Sequence, residues 1–170
     1  MIVVRPERQD DAGAIRDVEC ASFPTSAEAD LVDRLRGAGH LTVSLVAGLD
    51  GEVVGHVAFS PVSVGSGSVG VGLAPVAVCR SHRRRGVGAQ LIEAGLAACE
   101  ALGFGWAVVL GDPAYYSRFG FRPASALGLS GEFGGGDAFQ AIELTAGRLP
   151  MGGGLVSYTH EFASLRSSSG

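Results

Sequence analysis

The chain has 170 residues, of which 46% are hydrophobic and 18% charged, and its formal net charge is −4. This length and composition predict one compact domain, and the 27 glycines, which follow no Gly-X-Y period, exclude collagen and predict many tight turns. Three cysteines without C-x-x-C spacing predict neither a disulfide framework nor a cysteine-based zinc site, and we expect no metal. The protein is therefore expected to lie in a reducing cytosol.

One stretch has the length of a membrane span, because residues 53–79 contain no Asp, Glu, Lys or Arg. Pro61, Pro75 and the Gly65-Ser66-Gly67 break instead favour two buried strands joined by a turn. At the N-terminus only four apolar residues precede the first charge, so no signal peptide is visible. We therefore expect a cytoplasmic protein that makes no membrane contact.

The first predicted elements are a strand and two helices. The strand covers residues 2–5, and the polar run at residues 9–11 can open the first helix. The second helix is predicted over residues 26–36, where acids come early and arginines late, as the helix dipole favours. Gly37 and Gly39 should end this helix.

Three β-branched segments follow and predict an antiparallel meander. They cover residues 41–47, 52–59 and 69–78, and the Asp50-Gly51 pair between the first two is a hairpin signal. These strands are hydrophobic on both faces, so helices should cover both sides of the sheet.

The clearest helix is predicted over residues 87–102, with Cys99 on its apolar face and Gly103 as its stop. A short apolar strand at residues 106–110 comes next. A strand, a helix and a strand in this order form a crossover, so the strand at residues 69–78 should pair with it in parallel. The sheet is therefore predicted to be mixed.

The last part of the chain is rich in glycine and predicts short elements. They are a helix at residues 114–119 and strands near Phe121 and at residues 139–144 and 155–158. Neither an internal repeat nor a linker divides the chain, so we assign residues 1–160 to one domain. Residues 161–170 are expected to form a frayed tail.

One junction carries the candidate chemistry, because a strand, a basic glycine loop and a helix follow one another there. The loop is Arg83-Arg84-Arg85-Gly86-Val87-Gly88. The first turn of a helix has unpaired N–H groups and a partial positive charge, so such a loop can hold a diphosphate, and the arginines add charged donors. The loop fits neither the Walker pattern nor the dinucleotide fingerprint. A solvated arginine turn stays open, whereas nucleic-acid binding is disfavoured by the acidic chain and the short, aromatic-free basic run.

The loop resembles the Arg/Gln-x-x-Gly-x-Gly/Ala loop of the GCN5-related N-acetyltransferases (GNAT). Tyr116-Ser117-Arg118-Phe119-Gly120-Phe121 is similar to the Tyr-x-x-x-Gly-Phe element of that family. Leu73-Ala74-Pro75-Val76-Ala77-Val78 and the segment from Gly111 to Tyr116 look like the YhbS-like branch. The resemblance implies an α/β (α+β) fold with a mixed, mostly antiparallel sheet, a bulged fourth strand and helices on both faces.

The resemblance also implies an acetyl-CoA-dependent N-acetyltransferase. In such an enzyme the pyrophosphate sits on loop amides, and the pantetheine arm pairs like an extra strand with the splayed fourth strand. Pro75 has no backbone donor and therefore suits such a break in strand pairing. The implied cofactor-binding residues are Val76, Ala77, Val78, Arg83, Arg84, Arg85, Gly86, Val87, Gly88 and Ala89.

Tyr116 matches the tyrosine that serves the family as general acid for the departing CoA thiolate. Its neighbour Tyr115 points in another direction on a short helix, so only one of the two can face the thioester. Gly111-Asp112-Pro113 replaces the Asn that many relatives carry before this tyrosine. Residues 68–78 contain no Asp or Glu, so the general base is not identified; a water relay or a carboxylate such as Glu19 or Glu28 remains open.

The other histidines and cysteines carry weaker signals. His56 and His160 are interpreted as packing or surface residues, and Cys79 as a small buried residue without a nucleophile signature. His82 stands beside the loop, where it could contact the adenylate end of the cofactor or face solvent.

These observations predict direct acetyl transfer to an amine of a small molecule or peptide, with no nucleic acid as partner. The acidic net charge mildly favours cationic acceptors. The alternative is a non-catalytic acyl-CoA-binding sensor, because the fourth strand lacks a base. The late glycine-rich strands could also pair across a homodimer.

Overall fold

A computed structural model describes residues 1–167 of the chain. The strands are β1 Val3–Pro6, β2 Val43–Leu49, β3 Glu52–Ser63, β4 Val69–Val78, β5 Trp106–Leu110, β6 Arg122–Pro123, β7 Leu129–Gly131, β8 Phe139–Glu143 and β9 Gly154–Tyr158. The α-helices are α1 Ala12–Ser22, α2 Ala27–Ala38, α3 Val87–Ala101, α4 Pro113–Tyr116 and α5 Ala163–Ser167.

The strands form a mixed sheet in the order β1-β2-β3-β4-β5-β8-β6. β1 to β4 are antiparallel neighbours, whereas β4 and β5, which α3 connects, run parallel. β9 pairs antiparallel with Val62 and Ser63 at the C-terminal end of β3, and it pairs in parallel with β7. The predicted meander and the predicted parallel crossover are both confirmed.

The β2–β3 hairpin turns at Asp50 and Gly51, whose φ angles are 52° and 81°. Two consecutive positive φ angles are typical of the hairpin turn that an Asp-Gly pair favours, since glycine adopts them without steric cost. The hairpin predicted from this dipeptide is therefore confirmed.

Helices cover both faces of the sheet, as predicted. On one face Leu91, Ile92 and Cys99 of α3 are fully buried against the sheet. The approach is so close that a Cβ on Gly95 would lie 2.2 Å from the ring of Phe59. On the other face α1 and α2 pack against the alternate residues of the same strands, among them Val46.

Two predicted boundaries are wrong for local reasons, and one short strand was not predicted. α2 continues through Gly37 and ends at Ala38, and the next residue, Gly39, has a φ of 75° and an N–H that caps the helix carbonyls. Phe121 is a buried core residue rather than part of a strand, and the strand begins at the next residue. Strand β7 has only three residues and gives no periodic signal.

The expected frayed tail is wrong over residues 161–167. Phe162 is 3% exposed and packs against Leu31 and Leu35 of α2, and helix α5 follows. The buried Glu161 carboxylate contacts the imidazoles of His40 and His160. Apolar contacts with α2 thus hold this segment, and residues 168–170 lie outside the described residues.

Candidate active site

The sheet opens where β4 and β5 diverge. β4 pairs with β5 only over residues 71–73, although it pairs with β3 along nearly its whole length. Val57 lies opposite Val76 and Phe59 opposite Leu73, so a single residue of β3 faces two residues of β4. This is the predicted bulge in the fourth strand. It leaves the β5-facing backbone groups of residues 76–78 without a neighbouring strand.

A groove of about 760 Å³ begins at this opening and runs to the N-terminus of α3. The predicted cofactor-binding residues line it, namely residues 76–78, 83, 84 and 86–89. Arg85 is the exception, because it is exposed and does not line the groove. The remaining lining residues are Ser22, Phe23, His82, Asp112, Tyr115 and Arg118.

The loop before α3 turns its backbone toward the groove. Arg84 and Gly86 have φ angles of 64° and 77°. The N–H of Gln90 makes the first helical hydrogen bond, to the Gly86 carbonyl at 3.0 Å, so the amides of residues 87–89 lack helical acceptors. Arg83 Nε donates to the Val78 carbonyl at 3.2 Å, which ties the loop to the end of β4. These amides and guanidinium groups form a seat for an anion.

A second cavity, of about 560 Å³, lies on the other side of the β4 bulge. Residues 73–76 of β4 form one wall, and α2, β9 and the segment after it supply half of the other lining residues. Phe23 and Val76 line both this cavity and the groove, so the two spaces meet at the bulge. A thioester placed beside Val76 would therefore be reachable from the cavity.

The neighbouring tyrosines of α4 line different spaces. Tyr116 lines the cavity and is 8% exposed, whereas Tyr115 lines the groove. The Tyr116 ring packs on Phe121 with centroids 5.8 Å apart, and a Cβ on Gly111 would lie 2.5 Å from it. Burial raises the pKa of Tyr116 to about 12, so its phenol stays protonated at neutral pH.

The turn before these tyrosines explains the departure from the usual family pattern. Asp112 caps α4, because its Oδ1 accepts a hydrogen bond from the Ala114 N–H at 3.0 Å. Pro113 occupies the first turn of the helix, where its missing N–H costs nothing. The Gly111-Asp112-Pro113 segment thus starts the helix that positions Tyr116.

Glu28 places a carboxylate at the cavity. Its side chain extends from the first turn of α2, and it lines the cavity together with Tyr116. Its Oε2 is buried and has no hydrogen-bond partner within residues 1–167. Of the two carboxylates considered from sequence, Glu28 therefore faces this space, whereas Glu19 does not line it.

Glu19 instead belongs to a buried polar chain that the sequence did not reveal. His56 is fully buried, and its Nδ1 and Nε2 lie 2.8 Å from Glu19 Oε1 and from Ser44 Oγ. Ser44 donates to Glu7, whose carboxylate also binds the Arg36 guanidinium at 2.9 and 3.1 Å. His56 is therefore a buried packing residue, one of the two positions expected from sequence, and its polar partners are what the sequence did not predict.

This buried chain of hydrogen-bonded side chains has a structural role. The pKa of Glu19 is raised overall, because burial and the charge of Glu28 raise it by more than the hydrogen bond from His56 lowers it. Ser44 lines neither the groove nor the cavity, so its contact with a histidine does not make it an accessible nucleophile. One feature of the sequence indicates that Glu19 is buried: it follows Ile15 by four residues and therefore shares the inner face of α1.

The other histidines and cysteines take ordinary positions. His82 lines the groove, as expected for a residue beside the loop. His160 is exposed, with its Nδ1 2.8 Å from Glu161 Oε2. Cys99 is fully buried, but Cys79 is only half-buried, and Cys20 is exposed. Within the described residues no cluster of three His, Cys, Asp or Glu side chains could hold a metal ion, and no helix could cross a membrane.

Three features together define an acetyltransferase fold. They are a bulged central strand, the divergence of this strand from its parallel neighbour, and a basic helix N-terminus at the opening between them. The model of the acetyltransferase (GNAT) family matches residues 12–121, so the chain belongs to this family and is an acetyltransferase. It is 43% identical over 164 residues to the N-acetyltransferase YhbS of Escherichia coli K12, covering 95% of this chain and 98% of that protein.

Two solved structures are similar along nearly the whole chain. The structure of Escherichia coli YhbS in complex with CoA has a TM-score of 0.91 at 42% identity, covering 95% of this chain and 92% of the other. A GNAT family acetyltransferase from Brucella melitensis in complex with acetyl-CoA has a TM-score of 0.81 at 38% identity, covering 95% and 98%. The implied GNAT-type sheet is thereby confirmed.

Proposed function

We propose that this acetyltransferase binds acetyl-CoA in the groove and transfers the acetyl group directly to an amine held in the cavity. The meeting of groove and cavity at Val76 is the observation that carries this proposal. The CoA and acetyl-CoA complexes of its two relatives support the choice of donor.

The diphosphate of the donor binds the amides of residues 87–89, and Arg83 and Arg84 supply charge-assisted hydrogen bonds. The pantetheine arm carries amides, so it can pair with the open edge of residues 76–78 as a further strand would. Its thioester then lies at the bulge, between the groove and the cavity.

Direct attack fits the residues around the thioester better than an acyl-enzyme. Cys79 lines neither the groove nor the cavity, so the bulge offers no thiol nucleophile. Two substrates held on either side of Val76 can react without a covalent intermediate, and their fixed orientation supplies much of the rate.

Tyr116 assists the departure of the CoA sulfur. A thiol with a pKa of about 8.5 is a stronger acid than this buried phenol, whose pKa is raised to about 12. The phenol therefore contributes chiefly a hydrogen bond to the sulfur as negative charge develops while the C–S bond breaks. The proton that the amine loses in forming the amide then neutralises the thiolate.

The non-catalytic sensor remains the second candidate, because residues 68–78 of the bulged strand carry no acid that could serve as base.

The three free cysteines fit a reducing compartment, and we propose the cytoplasm.

Release of CoA from acetyl-CoA in the presence of a panel of amines tests the proposal. Amine-dependent CoA release together with the mass of the acetylated amine would support it. Saturable acetyl-CoA binding without turnover of any amine or peptide would favour the sensor instead. The chain contains no lysine, so acetylation of its own lysine side chains cannot contribute to the signal.

A further inference from the structure

We infer that the acceptor is a small primary amine on an apolar, preferentially aromatic body, whose ammonium group binds Glu28 in the cavity beside Val76. This inference rests on the proposed acetyl transfer and goes beyond it by naming the chemistry of the acceptor.

The walls of the cavity are mainly apolar and aromatic. Phe23, Phe133, Tyr158 and Phe162 line it, and the Tyr158 ring lies 5.3 Å from the Phe133 centroid and 4.8 Å from that of Phe162. Such a wall favours an aromatic or branched apolar ligand, because ring contacts add to the gain from burying apolar area. A volume of about 560 Å³ leaves room for an amine of this kind beside the acetyl group.

Glu28 supplies the polar group that fixes the orientation of the ligand. A buried carboxylate oxygen without a donor is costly, and Glu28 lines the cavity while its Oε2 has no donor among the described residues, which points to a missing hydrogen-bond donor at this carboxylate. A primary ammonium satisfies both the hydrogen bond and the charge.

The cavity disfavours two other classes of amine. Its described lining residues include no Lys, Arg or His, so the carboxylate of a free amino acid would enter an apolar space without a cationic partner. A polyamine would meet one further lining carboxylate, Glu132, whose Oε1 already accepts a hydrogen bond from the Tyr158 N–H at 2.7 Å, and its remaining ammonium group would lie against apolar side chains, which is unfavourable. The moderate acidity of the whole chain attracts cations but does not select among them.

Glu28 also accepts the first proton that the bound ammonium group loses. The bound ammonium passes one proton to the Glu28 carboxylate and becomes a nucleophilic amine. The amine nitrogen forms the amide bond as the C–S bond breaks, its second proton goes to the thiolate, and Glu28 returns its proton to solvent. The products are the acetamide and CoA thiol, so the atoms and charges balance.

The test compares acceptors that share a skeleton. 2-Phenylethylamine and L-phenylalanine have the same ring and amine and differ by one carboxylate, while spermidine represents polar cations and tetraglycine a peptide amine. We expect the kcat/KM for 2-phenylethylamine to exceed those of the other three by about 10-fold or more. Equal or better turnover of any of them would overturn the inference and leave acetyl transfer standing.

The Glu28→Gln variant tests the role of the carboxylate while preserving its shape. We expect its kcat/KM for 2-phenylethylamine to fall about 100-fold, with an unchanged KM for acetyl-CoA as evidence that the donor site is folded. Glu100→Gln, at an exposed position on α3, is the matched control and should behave like the wild type. A kcat/KM in Glu28→Gln within about twofold of the wild type would overturn the inference.

Calorimetry separates this inference from the proposed function if no amine is turned over. Binding of 2-phenylethylamine to the wild type in the presence of CoA, lost in Glu28→Gln, would support the acceptor site although acetyl transfer had failed. No binding of 2-phenylethylamine to the wild type would overturn the inference.

Discussion

Replacing Tyr116 by Phe removes one hydroxyl from the site and leaves the rest of the ring in place. The ring keeps its contacts with Phe121 and its position over Gly111, so we expect stability to change by less than about 1 kcal/mol. The affinity for acetyl-CoA should also persist, because Tyr116 does not line the groove.

The expected loss is in kcat. One preorganised donor aimed at developing charge is worth about 10²- to 10³-fold, or roughly 3 to 4 kcal/mol of transition-state stabilisation. Because burial raises the pKa of Tyr116 to about 12, ionisation of this phenol should cause no loss of wild-type activity below about pH 11.

A thiol-detection assay at saturating acetyl-CoA and amine measures this loss. Tyr115→Phe is the matched control, since it removes a hydroxyl from the neighbouring residue, which lines the groove instead. We expect the control to retain kcat within about threefold. A Tyr116→Phe variant that kept the full kcat would remove Tyr116 from the mechanism.

Two further predictions concern stability. Hydrogen bonds from Arg5 lower the pKa of Asp11 to about 2 from an ordinary 3.8, so its stabilising contribution is present above about pH 4 and is lost as the pH falls toward 2. Asp11→Asn should therefore lower the free energy of unfolding by about 1 to 2 kcal/mol at pH 7 and by less at pH 2.5, and equal losses at both pH values would contradict this. His56→Ala leaves Glu19 buried without its partner and should cost about 3 to 5 kcal/mol in urea unfolding at pH 7. A cost below about 1 kcal/mol would show that the polar chain does not stabilise the fold.

Local patterns predicted the central part of the fold well. The bounds of β4 and β5 agree with the predicted residues 69–78 and 106–110, and the start of α3 agrees as well. Each of these segments is strongly apolar and is bounded by turn residues, so the apolar pattern and the flanking turn residues predict the same bounds. The groove also followed from sequence, because consecutive residues of one loop and one strand form most of it.

The misses depend on contacts between distant parts of the chain. Phe162 is fixed by side chains of α2 more than 120 positions earlier, and no local pattern announces that contact. The helix α2 tolerates Gly37 because its other face is anchored by the fully buried Leu31 and Leu35. His56 needs partners from α1 and β2, which only the folded sheet brings together.

The cavity could not be predicted from the sequence for the same reason. Its walls come from α2, β4, α4 and the segments near β7 and β9, and these are adjacent only in three dimensions. Glu28 could be named from sequence as one of two carboxylates, but nothing local distinguished it from Glu19. The position of Arg85 outside the groove likewise depends on how the loop turns between Arg84 and Gly86.

The seat for the diphosphate is tested most directly by calorimetric titration of the folded protein with acetyl-CoA and, separately, with pantetheine, which lacks the diphosphate. We expect acetyl-CoA to bind with a Kd below about 100 μM and pantetheine to bind about 100-fold more weakly or not at all. Gly88→Val should weaken acetyl-CoA binding, because a Cβ at this position would lie 3.1 Å from the hydroxyl of Tyr115, which also lines the groove. No association with acetyl-CoA at millimolar concentration, or equal affinities for acetyl-CoA and pantetheine, would contradict a diphosphate site at the N-terminus of α3.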